Sequence, residues 1–585
     1  MTDQPWFKFY DKGVPTTLEP YPNVSLQQFL EDTAAKYPDK PAIHFKPSHQ
    51  GFAKSKLTYA ELNNLSDRMA AALAALGVKK GDRVAIFMPN IPQFIITFYG
   101  ILKAGGVVVA SNPTYTQPEL EHQLTDSGAV AIVCMSRFYD TVQKVLPKTQ
   151  IKTVIVTNVK DYMSPLLGLL YGLAKEKKSG DKVTLAPGHL KFKDVLQKYL
   201  PSQRPKVTVT ADDKALFQYS GGTTGVPKAA VALHRNLVAN TLQIRAWLSD
   251  CQEGKEVMLT AIPLFHVYGM VVGMLAAAQM AASTVLVPNP RDLDSVLDAI
   301  DTYRPTIFPG VPRMYNALNN HPEIAKHDLR SIRVCVSGSA PLLLDIKQKF
   351  EALSGGKVVE GFGMSETPTM THVNPIHGLN KDGSIGVPVP DVEARIISLD
   401  DEVTVLPQGE IGELVVRGPE VMFGYHADPV GTLNVLRKDP KDPDGAPWLY
   451  TGDIARMDAD GYFYIVDRKK ELIKVGGFQV WPRDIEEALK QNPKVLKVAA
   501  AGVPDPARGD ETVKAWVVLK PGQTATEAEL KKFCEDKLVA YKRPKYIEFR
   551  DDLPETMVGK VLRRELVAEE KARQEKARLA KANKK

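Results

Sequence analysis

Residues Val84–Cys134 read VAIFMPNIPQFIITFYGILKAGGVVVASNPTYTQPELEHQLTDSGAVAIVC, and the alternation inside this stretch decides the fold class. Val84–Phe87, Val107–Ala110 and Ala131–Cys134 are short apolar, mostly β-branched runs that predict strands, while Gln93–Lys103 and Glu119–Ser127 between them carry helical patterns. Strands spaced by helices imply parallel sheets with helices on their faces, an α/β architecture. The pattern continues at Thr153–Val156, Thr284–Val287, Thr306–Pro309 and Arg333–Val336, with an amphipathic helix at Leu293–Tyr303. Met270–Val287 is nearly uncharged and long enough to span a bilayer. Gln279, Ser283 and Thr284 interrupt it, so we expect a buried helix followed by a strand.

From Gly383 the texture becomes glycine-punctuated and strand-rich (Ala394–Ile397, Gly412–Arg417, Gly461–Val466), which predicts a compact β subdomain closing the large lobe. After Asp467-Arg468-Lys469-Lys470 the pattern restarts as a small α+β module, with helices at Pro482–Lys490 and Glu527–Leu538 and strands at Val495–Ala501 and Thr512–Leu519. The expected organisation is an N-terminal lobe over residues 1–467, a hinge at 468–470, a C-terminal domain at 471–566 and a basic, solvated, fraying tail at 567–585.

A chain of 585 residues with 44% hydrophobic composition exceeds what one core organises. The net charge of +7 is concentrated in the tail, where Lys571, Arg573, Lys576, Arg578, Lys581, Lys584 and Lys585 face only Glu569, Glu570 and Glu575. Little basic excess is left for a nucleic-acid-binding face. Cys134, Cys251, Cys335 and Cys534 show no metal-ligand spacing, and Met1–Lys12 lacks the apolar run of a secretory signal; both fit a cytoplasmic setting.

Chemistry concentrates at Tyr219-Ser220-Gly221-Gly222-Thr223-Thr224-Gly225-Val226-Pro227-Lys228. Glycines let backbone N–H groups approach phosphate oxygens, hydroxyls add donors and the lysine supplies a compact positive charge. Pro227 before Lys228 excludes a Walker loop. This loop resembles the phosphate-binding signature of the adenylate-forming (acyl-CoA synthetase, AMP-binding) enzymes, and six more blocks of that family follow in order. They are Pro263-Leu264-Phe265-His266-Val267-Tyr268-Gly269, Ser337-Gly338-Ser339-Ala340-Pro341, Gly361-Phe362-Gly363-Met364-Ser365-Glu366, Tyr450-Thr451-Gly452-Asp453, Asp467-Arg468-Lys469-Lys470 running into Gly476-Gly477-Phe478, and Gly559-Lys560.

The resemblance implies an ATP-dependent ligase that activates long-chain fatty acids as coenzyme A thioesters through an acyl-adenylate. It implies that Ser220, Gly221, Gly222, Thr223, Thr224, Gly225 and Lys228 hold the ATP phosphates, with Thr223 and Lys228 also counted as catalytic. Phe362, flanked by Gly361, Gly363 and Ser365, lies against adenine, with Gly338 and Ala340 opposite; Asp453 and Arg468 take the ribose; Glu366 ligates Mg2+. The same resemblance implies that Lys560 stabilises charge between carboxylate and α-phosphate, that His266 lines the acyl carboxylate, that Lys470 is the hinge, and that Gly476-Gly477-Phe478 meets coenzyme A. The departures are Ser220-Gly221, Ala229, Phe362, Ser365 and Val558, and none removes a required charge. The Gly221-Gly222 pair resembles the bacterial type of long-chain ligase.

The small residues around Gly269 and Gly273 predict an open acyl groove. Tyr162–Leu173, apolar and followed by Lys175, Lys177 and Lys178, suits either peripheral contact at the inner membrane face or an ordinary buried helix. Three rival functions stay open: a ligase for aromatic or medium-chain acids, an enzyme that stops at the adenylate, and a silent nucleotide- or lipid-binding relative. The partners implied are fatty acid, ATP and coenzyme A. The chain is expected to be a monomer or a homodimer.

Overall fold

The computed structural model describes residues 4–46, 55–163, 165–220, 227–475, 478–504, 511–556 and 561–582. The chain divides into two compact units, one built from residues 1–221, 227–393 and 417–438, the other from 222–226, 394–416 and 439–585. Compactness thus sets a boundary at Ala394, ahead of the composition break at Asp467–Lys470, and places the strand-rich segment with the C-terminal module.

The first unit carries the expected α/β pattern. Its largest sheet has eight strands in the spatial order Gly424–Tyr425, Lys228–Leu233, Lys214–Ser220, Val107–Ser111, Arg83–Phe87, Ala131–Met135, Thr153–Thr157 and Leu190–Lys191. The six from Lys214–Ser220 to Leu190–Lys191 pair in parallel, and at the other edge Lys228–Leu233 is antiparallel to both its neighbours, Lys214–Ser220 and Gly424–Tyr425. Helix Pro92–Lys103 is buried along its whole length, as its all-round apolar sequence requires. Its one charge, Lys103, bonds Asp67 at 2.9 Å and Asn63.

A second sheet joins Val257–Thr260, Ser283–Leu286, Pro41–Phe45 and Ser55–Thr58, and a third joins Val334–Ser337, Lys357–Phe362, His372–Val373 and Val387–Pro388. The strand expected at Thr306–Pro309 is reduced to isolated bridges: Ile307 alone pairs with Met258 and Val334, stitching these two sheets together. Met270–Val287 forms a buried helical stretch with a π turn at Val271–Leu275, followed by strand Ser283–Leu286. Among the described residues no helix is long and apolar enough to cross a membrane.

In the second unit, strand Trp448–Met457 lies between Gly412–Arg417 and Phe463–Arg468, antiparallel to both. Strands Val495–Pro504 and Glu511–Leu519 form a long hairpin with Tyr546–Phe549 parallel alongside. Helices Pro482–Lys490 and Glu527–Glu535 contribute to one apolar face of this sheet. The tail departs from expectation. Helix Arg563–Ala582 buries Leu566 on the other face, and the buried Glu570 bonds the equally buried Lys514 at 2.8 Å. Val567 packs against the same cluster, and this contact with the Glu570 ion pair docks the start of a tail that was expected to be solvated.

Candidate active site

The phosphate-loop residues Gly221, Gly222, Thr223, Thr224 and Gly225 lie outside the described residues, as do Gly476, Gly477 and Lys560; of Ser220 and Phe478 only the backbone is described. The stems of the loop are well defined. Strands Lys214–Ser220 and Lys228–Leu233 pair antiparallel with Ser220 opposite Lys228.

Lys228 meets two residues that sequence reasoning missed. Its ammonium sits 2.6 Å from Asp428 Oδ2 and 5.4 Å from the centroid of the Tyr425 ring. Asp428 is the N-cap of helix Pro429–Val435, with Pro429 at the first helical position, and its other oxygen accepts from the Gly431 amide at 2.8 Å. The Lys228 ammonium, and after it that amide, hold the Asp428 carboxyl below the usual carboxylate range. Tyr425 is placed by pairing with Ala230, and its hydroxyl donates to Glu366 Oε1 at 2.8 Å. Burial, and then the Glu366 charge, push the Tyr425 phenol well up, so it stays a donor. One tyrosine thus has the Lys228 ammonium over its ring and the Glu366 carboxylate at its hydroxyl.

Glu366 is 8% exposed, and Met422 donates its amide to the Glu366 carbonyl at 2.8 Å. A single carboxylate with Oε2 unengaged among the described residues fits Mg2+, which takes one or two carboxylates and completes its shell from substrate phosphates and water. Among the described residues no three metal-ligating side chains converge.

Phe362 ends strand Lys357–Phe362, with Gly361 beside it and Gly363 and Ser365 in the turn that follows. Its ring meets His372 edge-on, with centroids 6.1 Å apart, and burial pushes the His372 imidazole down to about 3, leaving it neutral. Gly338 and Ala340 follow strand Val334–Ser337. Gly338 lies over the Tyr268 ring, where a Cβ would come within 3.2 Å of the ring. The Tyr268 hydroxyl is directed at the carbonyls of Val336 at 2.6 Å and Gly310 at 3.2 Å.

His266 is the N-cap of the short helix Val267–Met270, and its Nδ1 accepts the Tyr268 amide at 3.3 Å. That bond assigns the proton to Nε2. Burial pushes the imidazole down to about 4, so at neutral pH it is an uncharged N–H donor. Gln218 donates to the Phe265 carbonyl at 3.2 Å, tying this turn to the strand that enters the phosphate loop.

The groove expectation for Gly269 and Gly273 is corrected. A Cβ on Gly269 would lie 2.3 Å from the Pro263 carbonyl oxygen, and one on Gly273 2.9 Å from the Thr260 methyl. Both glycines serve close packing of the helix, and neither opens space for a ligand.

In the second unit, Asp453 and Arg468 face each other across strands Trp448–Met457 and Phe463–Arg468. Arg468 Nε lies 2.7 Å from Asp453 Oδ1 and Nη2 3.4 Å from Oδ2, a fork that orients a buried carboxylate. Lys470 is exposed on the single turn Lys469–Glu471; its neighbour Lys469 is anchored by Glu413 at 2.7 Å and by Glu402.

A family model described as AMP-binding enzyme matches residues 30–426, and one described as AMP-binding enzyme C-terminal domain matches 484–560. A long-chain-fatty-acid–CoA ligase of Bacillus subtilis is 42% identical over 97% of this chain and 98% of its own length. One of Yersinia pestis with the same name is 41% identical, again over 97% and 98%. Among solved structures, ATP-bound MatB from Rhodopseudomonas palustris superimposes with a TM-score of 0.79 at 30% identity, covering 94% of this chain and 99% of that one.

Proposed function

The chain belongs to the AMP-binding enzyme family, and from that premise we propose that it is a long-chain fatty acid:CoA ligase working through an acyl-adenylate. The observation that carries the reading is the Tyr425 arrangement: Lys228 for phosphate and Glu366 for a metal, gathered on one side chain. Bacterial relatives named for long-chain acids, alike over nearly their whole length, favour the long-chain substrate over an aromatic one.

In the first half-reaction a carboxylate oxygen of the fatty acid attacks the α-phosphorus of ATP, the bond to the β-phosphate oxygen breaks, and pyrophosphate leaves. The acid is already ionised at neutral pH, so no base is needed; positioning and charge neutralisation carry the step. Neutral His266 offers Nε2–H to the carboxylate, and Lys228 attracts the phosphates. Bound Mg2+, held by Glu366 and the nucleotide, would neutralise triphosphate charge. Phe362 and Gly338 take the adenine, Asp453 the ribose hydroxyls with Arg468 fixing its carboxylate, and Lys560 the charge at the α-phosphate. In the second half-reaction the coenzyme A sulfur attacks the acyl carbon, the thiol proton is lost and AMP leaves. We assign the change of state between the two to rotation about Lys470, which withdraws Lys560 and presents Gly476-Gly477-Phe478 to coenzyme A. The setting is cytoplasmic, with peripheral contact at the inner membrane face.

A panel of palmitate, octanoate and coumarate, scored for pyrophosphate release and thioester formation, tests the assignment. Palmitate should give the highest kcat/KM with both products. Preference for coumarate, or adenylate without thioester, would overturn it.

A further inference from the structure

Helix Pro165–Ala174 presents four leucines to solvent at helical spacing: Leu166, Leu169, Leu170 and Leu173 are 67%, 61%, 52% and 79% exposed. Positions i, i+3, i+4 and i+7 form one stripe on one face. The stripe faces outward because the opposite face is the anchored one. Gly168 packs toward the Lys160 carbonyl, Gly172 toward the Glu176 carboxylate, and the Tyr171 hydroxyl donates to Asp181 at 2.6 Å. A contiguous aliphatic face held out by hydrogen bonds behind it marks a surface that meets something apolar.

The charges around it select the partner. Lys175, Lys177, Lys178 and Lys182 follow the helix directly, all exposed and none with an acidic partner among the described residues. The acids nearby are taken up internally. Asp181 is buried against Arg137 at 2.7 Å, Glu176 is buried against Lys160 at 2.6 Å, and Asp161 accepts from the Asn158 amide at 2.9 Å. The outward charge is therefore positive and borne by lysines, next to leucines alone, without the Trp, Tyr and Arg anchors that dominate protein–protein hot spots. Ten helical residues extend about 15 Å, half of a bilayer's hydrocarbon thickness, so the helix can lie in the interface but not span it.

We propose that helix Pro165–Ala174, with the lysines that follow it, docks this enzyme onto an anionic lipid surface, the leucine stripe entering the acyl boundary and Lys175, Lys177, Lys178 and Lys182 meeting headgroup phosphates. This rests on the peripheral setting proposed above and assigns it to one element. The surface that stores the acyl substrate is then the surface the enzyme stands on.

The experiment is sedimentation of the full chain with vesicles of phosphatidylcholine alone or with phosphatidylglycerol, at low and high salt. Wild type should bind the anionic vesicles, and less well at high salt. Leu169→Gln/Leu173→Gln should weaken partitioning by at least about tenfold, and Lys175→Gln/Lys177→Gln/Lys178→Gln should weaken it and flatten its salt dependence. Both variants alter exposed side chains, so the thermal midpoint and turnover of soluble octanoate should hold. Wild type that ignores vesicles would overturn the peripheral setting and the docking helix together. Variants that bind as wild type does would leave the setting standing and overturn the assignment to this helix. A concentration-dependent dimer lost in the leucine variant, with vesicle binding intact, would give the face to a second copy and overturn the proposal.

Discussion

Replacing Asp428 by asparagine isolates the contact between Lys228 and its carboxylate. Asparagine caps a helix as well as aspartate does, so the bond to the Gly431 amide and helix Pro429–Val435 should survive. What disappears is the anion 2.6 Å from the Lys228 ammonium, the group proposed above to meet the ATP phosphates. Under the proposed function, Asp428 holds in the free enzyme the ammonium that the ATP phosphates would take on binding. The Lys228 side chain is 51% exposed and Asp428 30%, so the pair ranks with screened surface pairs worth about 0.2–1 kcal/mol. At ~1.4 kcal/mol per tenfold, MgATP should bind roughly 1.4- to 5-fold more tightly in Asp428→Asn, the gain shrinking as salt rises. Calorimetric MgATP titration at two ionic strengths, with kcat for adenylate formation alongside, reads this directly; kcat and the thermal midpoint should barely move. Weaker MgATP binding, or a kcat drop beyond about tenfold, would show that Asp428 aims the lysine instead of competing for it, and the reasoning would fail.

Lys560→Ala should cost adenylate formation roughly 10²-fold, the order of a lost charge-stabilising donor, while supplied acyl-adenylate still reacts with coenzyme A; equal loss in both half-reactions excludes the role. Lys470→Pro restricts φ and the residue before it, so pyrophosphate release should persist while thioester formation fails, and normal overall turnover in a folded variant would put the pivot elsewhere. Since burial lowers His266 from 6.5 to about 4, the group is neutral above about pH 4, and its contribution to stability falls as pH drops from its unfolded value through 4. The kcat/KM profile should therefore show no acid limb near 6.5 that His266→Gln abolishes; finding one would mean a charged imidazole. Gly269→Ala forces a methyl against the Pro263 carbonyl and should cost about 1–3 kcal/mol, seen as a lower urea midpoint; an unchanged midpoint would show that the turn relaxes freely.

The α/β repeat was legible because each element obeys one period. Leu293–Tyr303 was read to the residue, since its apolar positions fall at helical spacing and Asp292 caps it. Thr306–Pro309 looked like its neighbours, but only Ile307 reaches a partner on each side, a matter of sheet register that no local pattern encodes. Gly269 and Gly273 were misread because a small residue signals either a void or a close approach, and composition cannot tell these apart. Tyr425 and Asp428 escaped for a different reason. Asp-Pro reads as an ordinary helix start, which it also is, and the tyrosine's partner lies 59 residues away in sequence at Glu366. The tail misled through its average, because Val567 and Glu570, next to the buried Leu566 just before it, suffice to dock its start.

The turn at His266 has a mechanical meaning beyond its chemistry. The Tyr268 amide fixes the imidazole, and the ring of that same Tyr268 lies beneath Gly338. Under the proposed function, His266 as acyl-side donor and Tyr268 as the support beneath the adenine-side Gly338 are therefore gauge marks on one short ruler, two residues apart, and the Tyr268 hydroxyl aimed at Val336 pins that ruler to the sheet. On the proposed mechanism, the spacing between the two ends of the adenylate would be kept by a part that has no joint.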